Sequence, residues 1–141
     1  DAQESRGLGD VYKRQVITTP YTWVSSAECI KQVGATPVFV DINKDDMCID
    51  AKLVHTAITK NTKAIIAVDL FGNVCDINAL KKHGLPVIED AAQSTGALYK
   101  GMVVGGIADI TCFSFYPTKN LAAMGDAGLF IANTSVDALI F

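Results

Sequence analysis

Lys119 follows an apolar run with a β-branched and aromatic bias, Ile110 to Tyr116, and precedes the glycine-rich stretch Gly125-Asp126-Ala127-Gly128. Such a run reads as a buried strand, and Pro117 stops its ladder by removing a backbone donor. A lysine held just past a strand end, beside a hydroxyl and out of bulk water, has what Schiff-base chemistry needs: desolvation makes the neutral amine accessible. A solvated loop lysine fits the same position. Trp23, Asp90, Gln93 and Ser114 also stand at or near expected strand ends. Taken singly, each has an ordinary reading. Trp23 suits a half-buried helix anchor, Asp90 an N-cap for the next turn, Gln93 a polar loop residue, and Ser114 an inward-facing strand serine.

The elements that must position these residues are legible as apolar runs and helix signals. Val16 to Thr19 reads as a strand ending at Pro20. Ser25 and Glu28 have capping-box spacing ahead of an apolar stripe of Ala27, Ile30 and Val33, and Gly34 is a C-terminal stop. Thr36 to Ile42 is a second strand. Asp50 can cap a helix whose Leu53, Val54, Ala57 and Ile58 share a face. Ala64 to Leu70 is the third strand, and Asp76 caps a helix from Ile77 to His83 that Gly84 ends. Pro86 to Glu89, Ile110 to Tyr116 and Gly128 to Ala132 complete the set. Strands with little alternation, separated by short helices, imply an α/β sandwich whose sheet is buried on both faces, with right-handed crossovers. Ligands of such sheets bind at the carboxyl ends of the strands. Trp23 follows the first strand, Asp69 and Phe71 the third, Asp90 and Gln93 the fourth, and Lys119 the fifth.

Composition narrows the function classes. A chain of 141 residues, 50% hydrophobic and 19% charged, suits one globular domain or a large piece of one. A net charge of -3, without a lysine or arginine cluster, gives no surface for a nucleic acid backbone. No apolar run reaches a membrane span and no leader pattern is present, so a cytoplasmic protein is expected. Cys29, Cys48, Cys75 and Cys112 are scattered singly, and reduced, mostly buried thiols are expected. His55 and His83 stand too far from any Cys/Asp cluster to suggest a metal. Residues 1–15 are polar and lack an apolar period. Their run Ser5 to Gln15 resembles a translated sequencing-library adaptor, so they are expected to be non-native, with the natural chain cut before Val16.

The segment Phe113-Ser114-Phe115-Tyr116-Pro117-Thr118-Lys119-Asn120 followed by Gly125-Asp126-Ala127-Gly128 resembles the cofactor-lysine motif of the DegT/DnrJ/EryC1/StrS family of pyridoxal-phosphate (PLP) sugar aminotransferases. Three further blocks match in the family's order: Thr19 to Trp23, Gly34 to Asp41, and Glu89 to Ser94. The resemblance runs from about Val16 to the C-terminus. It implies the large domain of a fold type I PLP-dependent transferase, three-layer α/β/α, with a mostly parallel seven-stranded sheet containing one antiparallel strand. It also implies roles. Lys119 would carry PLP as a Schiff base and then move the substrate proton, Asp90 would face the ring nitrogen, and Gln93 would bond the ring hydroxyl oxygen. Trp23 would stack on the ring, and Ser114 would donate to the phosphate. The implied substrates are a nucleotide-linked keto-sugar and an amino donor, usually glutamate, in a ping-pong reaction at a homodimer interface. The wording of the motif is most like members that aminate carbon 3.

Two departures stand out. Ala122 occupies a position where the family usually has glycine, which predicts a different path for the loop after the lysine. The family's upstream Ser-Gly-Thr phosphate loop and its C-terminal small domain are missing, so the chain covers well under half of a family member and is not expected to turn over alone. Three alternatives remain: an amino-acid-directed fold type I enzyme, a non-catalytic binding or regulatory module of the same fold, and the related PLP-dependent sugar dehydratases. These dehydratases carry histidine at the lysine position, which Lys119 argues against.

Overall fold

The computed structural model describes residues 14–133. Its main sheet contains β1 (Gln15–Thr18), β2 (Thr36–Phe39), β3 (Thr62–Val68), β4 (Val87–Asp90), β7 (Ile110–Ser114) and β8 (Gly128–Ala132), in the spatial order β2-β1-β3-β4-β7-β8. The first five run parallel, and β8 is antiparallel to β7. Three helices connect them: α1 (Ser25–Gln32), α2 (Ala51–Ala57) and α3 (Ile77–Lys81). A two-stranded hairpin, β5 (Leu98–Tyr99) with β6 (Met102–Val103), lies outside this sheet.

The chain steps one way from β1 to β2 and the other way from β2 past β1 to β3 and β4. With right-handed crossovers, that reversal puts α1 on one face and α2 and α3 on the other. The core follows this division. Ile65 and Ala67 of β3 pack with Ile17, Val87, Val54, Ile77 and Leu80, while Ile66 and Val68 pack with Ile30, Ala35 and Leu70. Strand side chains alternate between faces, so one continuous apolar run supplies both layers. Each fully buried aliphatic side chain contributes about 1.5–3 kcal/mol by leaving water. This is the expected α/β/α architecture, with six strands of the sheet among the described residues.

Local chemistry accounts for the boundaries. Asp50 and Asp76 cap their helices as expected, accepting from Lys52 N–H at 2.8 Å and Ala79 N–H at 3.2 Å. Gly34, at φ 78°, closes α1 with Gly34 N–H to Lys31 C=O and Ala35 N–H to Ile30 C=O, the paired bonds of a Schellman motif. The Ser25–Glu28 capping box does not form. The residue before α1 is Val24, itself helical in conformation, with no side-chain cap, so Ser25 already lies inside the helix. The strand β1 begins at Gln15, and Thr36 N–H donates to the Arg14 carbonyl, so the sheet starts just upstream of Val16. Residues 1–13 of the segment read as non-native lie outside the described residues. The strand β3 ends at Val68 because Asp69 turns the chain into a short 3-10 segment, Leu70–Gly72. The strand β7 ends at Ser114, two residues early; the amide of Phe115 still donates to the Ala127 carbonyl in the same register, and the ladder stops there, ahead of Pro117.

Candidate active site

A cleft of about 750 Å³ opens at the carboxyl ends of β4 and β7, on the face that α1 covers only in part. Its lining includes all five residues singled out in the sequence: Trp23, Asp90, Gln93, Ser114 and Lys119. Ile66, Val68, Ile88 and Cys112 form its apolar floor. A smaller cavity of about 460 Å³ adjoins it, sharing Gln93, Thr118 and Lys119 and adding Phe71 and Gly72.

Asp90 does two things at once. Its Oδ1 accepts from Ala92 N–H at 3.1 Å, the turn cap of its ordinary reading, and its Oδ2 accepts from the Ser26 hydroxyl at 3.0 Å. A carboxylate has about four acceptor sites, so both oxygens keep capacity for a further donor. Ser26 was not among the residues read from the sequence. The signal was there, in a serine four residues before Ile30 on the buried stripe of α1, where a hydroxyl needs a partner.

Lys119 reaches the cleft from a turn. Its N–H donates to the Tyr116 carbonyl at 2.8 Å, and Pro117 occupies the second position of that turn, where its fixed φ is favourable. Lys119 is half-buried at the edge of the cleft. Ser114 accepts from Tyr116 N–H at 3.3 Å, which leaves its own hydroxyl proton free to donate into the cleft. Trp23 is 74% exposed at the rim, which rules out the helix-anchor reading and leaves a flat indole available to a ligand. Thr22, beside it, has a buried hydroxyl oxygen with no partner. Gly128 has a packing role: a Cβ there would lie 2.9 Å from the Phe113 carbonyl oxygen, so glycine lets β8 close on β7.

Behind the sheet lies a second acidic group. Asp69 and Glu89 are both fully buried. Asp69 accepts from Cys75 N–H at 3.0 Å and from the Ser94 hydroxyl at 2.8 Å; Glu89 accepts from the Thr111 hydroxyl at 2.7 Å. Burial, reinforced by the neighbouring Glu89, pushes the Asp69 carboxyl up to about 7, and burial raises Glu89 as well. The Glu89 Oε1 has no partner, and a proton shared between the two acids would supply one. Of the four thiols, Cys48 and Cys75 are buried as expected, whereas Cys29 and Cys112 line the cleft. Burial raises both of the latter, and the charge of Asp90 adds to it.

The donor set suits a phosphorylated heterocyclic aldehyde: an amine, an acid for a ring N–H, an amide, free hydroxyls and an exposed indole around one cleft. A mostly parallel α/β/α sheet with these groups at its strand ends is the large domain of a fold type I transferase. The family model described as the DegT/DnrJ/EryC1/StrS aminotransferase family matches residues 5–138, and the chain belongs to that family. It is 49% identical, over 90% of its length, to the "Pleiotropic regulatory protein" of Geobacillus stearothermophilus, covering 34% of that protein. It is 45% identical, over 90% of its length, to the UDP-2-acetamido-2-deoxy-3-oxo-D-glucuronate aminotransferase of Pseudomonas aeruginosa, covering 35% of it. The crystal structure of DesV from S. venezuelae in complex with a ketimine intermediate superimposes on 96% of the chain with a TM-score of 0.84 and 38% identity, and 38% of DesV is covered. The chain thus spans about a third of the length of the curated relatives it matches.

Proposed function

We propose that the full-length protein is a PLP-dependent aminotransferase that moves an amino group, with glutamate as donor, onto carbon 3 of a nucleotide-linked keto-sugar. It works as a cytoplasmic homodimer in the making of amino sugars for cell-surface polysaccharides or antibiotics. The observation that carries this reading is that Lys119 and Asp90 line one cleft at the strand ends, within a chain of this family. The carbon-3 assignment draws on the name of the Pseudomonas relative, a 3-oxo-sugar aminotransferase.

Bound PLP supplies an aldehyde for an amine and a ring that withdraws electrons from the carbon losing its proton. The chain supplies the rest. Asp90 accepts the ring N–H in a charge-assisted hydrogen bond that keeps the ring cationic. Gln93 donates to the ring hydroxyl oxygen, and Ser114 to the phosphate. Trp23 covers one ring face by offset stacking. Lys119 would hold the cofactor through Nζ and, when an amino donor takes its place, the freed amine would serve as base and acid for the proton that leaves the substrate carbon. Turnover requires the full-length protein, since the remaining cofactor and sugar contacts come from segments beyond this domain.

A second reading, a regulatory module that binds without turnover, is favoured by the name of the Geobacillus relative. Incubation of full-length protein with PLP, glutamate and a UDP-linked 3-keto-sugar separates the possibilities by product. The aminotransferase yields an amino sugar and 2-oxoglutarate in equal amounts. A dehydrated sugar identifies the dehydratase, and no product with any keto-sugar supports the regulatory module.

A further inference from the structure

The amide of Gln93 is already oriented. Its Oε1 accepts from the Phe71 backbone N–H at 2.9 Å. A backbone N–H can only donate, so the oxygen end of the amide is committed to Phe71 and the NH2 end is left for another partner. To make this bond Phe71 adopts φ 59° and ψ 20°, a left-handed conformation that is strained for a bulky residue. Its ring is 68% exposed, so packing does not offset that cost. Something else must hold the turn.

Asp69, two residues earlier, is bonded on three sides. Its Oδ1 accepts from the Cys75 amide at 3.0 Å, beyond the turn, and its Oδ2 from the Ser94 hydroxyl at 2.8 Å, next to Gln93. Its own N–H donates to the Asp90 carbonyl at 3.0 Å. One buried side chain therefore ties the two ends of the Leu70–Val74 turn to the far end of the Ala91–Gln93 turn. We propose that Asp69 is a positioning residue that holds the left-handed Phe71 turn against Gln93, so that Gln93 presents only its NH2 end and meets the ring oxygen of the cofactor as a donor.

This deepens the reading above and rests on it. Were the amide to flip, its NH2 would face the Phe71 N–H, two donors with no acceptor between them. The site thus calls for an acceptor, not a donor, at the ring position that Gln93 faces. Asp69 never touches the ligand, and its influence passes through Gln93.

A double-mutant cycle in the full-length protein tests this, with PLP affinity read from quenching of Trp23, the only tryptophan of the sequence described here, each variant also carrying Phe in place of any tryptophan elsewhere. Asp69→Ala weakens PLP binding about tenfold when Gln93 is present and leaves it unchanged in a Gln93→Ala background. Ser94→Ala, which removes one bond of the clamp at little risk to folding, shifts affinity the same way, by a smaller factor, and again only with Gln93 present. Asp69→Asn restores binding, since its carbonyl accepts from Cys75 and its NH2 donates to the Ser94 oxygen. In cofactor-free protein, hydrogen exchange at the Phe71 amide accelerates in Asp69→Ala and not in Asp69→Asn. Equal weakening by Asp69→Ala and Ser94→Ala with and without Gln93, or no weakening at all, overturns the proposal while leaving PLP binding intact. Wild-type protein that binds no PLP overturns the cofactor reading itself.

Discussion

The Ser26 hydroxyl donates to Asp90 Oδ2 across 3.0 Å, tying the first turn of α1 to the carboxyl end of β4. It aims a half-buried carboxylate into the cleft and keeps α1 seated on the sheet. A hydrogen bond to a charged group contributes about 1.5–3 kcal/mol, less where water reaches it. Ser26→Ala is expected to lower the unfolding free energy by about 1 kcal/mol, measured by urea titration. An unchanged midpoint would mean that water replaces the hydroxyl at no cost.

Asp90→Asn separates the two tasks of this residue. The asparagine carbonyl still accepts from Ala92 N–H, so the turn and the fold persist, but the anion proposed to face the ring nitrogen is gone. Removing one preorganised electrostatic group of this kind lowers kcat by about 10²- to 10³-fold. Steady-state kinetics of the full-length variant, alongside a thermal melt within a few degrees of wild type, gives the check.

Stability should fall as pH rises through the window set by Asp69. In the fold its carboxyl titrates at about 7, against 3.8 for the free group. Between these values the folded chain binds more protons than the unfolded one, so the fold is strongest near pH 4 and weakens toward pH 7. The loss is at most about 4 kcal/mol. Glu89 adds in the same direction. Asp76 works oppositely: its hydrogen bond from Tyr99 lowers it, and the stability it contributes is lost only as pH falls below the usual carboxylate range. Urea midpoints at pH 5 and pH 8 should therefore differ in favour of pH 5, and Asp69→Asn should shrink the difference.

Gly128→Ala is expected to cost about 1–3 kcal/mol, because the new Cβ meets the Phe113 carbonyl oxygen at 2.9 Å and a backbone atom cannot swing aside. The strain falls on the β7–β8 pair beside Ser114. Thermal melts of wild type and variant decide it; equal midpoints would mean that β8 shifts freely.

The parallel strands were legible because a sheet covered on both faces needs apolar residues in succession, as Ile65 to Val68 supply. Asp50, Asp76 and Gly34 marked helix ends through chemistry that is local in sequence. What was not legible depends on long-range geometry. The β5–β6 hairpin turns through Lys100 and Gly101, both at positive φ, and its two-residue strands carry too few apolar positions to show a period. The run from Thr36 continues past Phe39, but Ile42 bridges to Ile49 instead of extending β2. Among site residues, the matched motif gave Trp23, Asp90, Gln93, Ser114 and Lys119. Ser26 lies 64 residues from Asp90, and Asp69 accepts from Ser94, 25 residues on. No spacing rule joins such pairs.

The central claim is a covalent one, and it concerns a single nitrogen. Full-length protein incubated with PLP, reduced with borohydride and digested should yield one pyridoxyl-modified peptide, with the added mass on Lys119, and Lys119→Ala should abolish both the modification and the visible absorbance band. A protein that stays colourless, or one modified at another lysine while Lys119 remains free, would contradict the account.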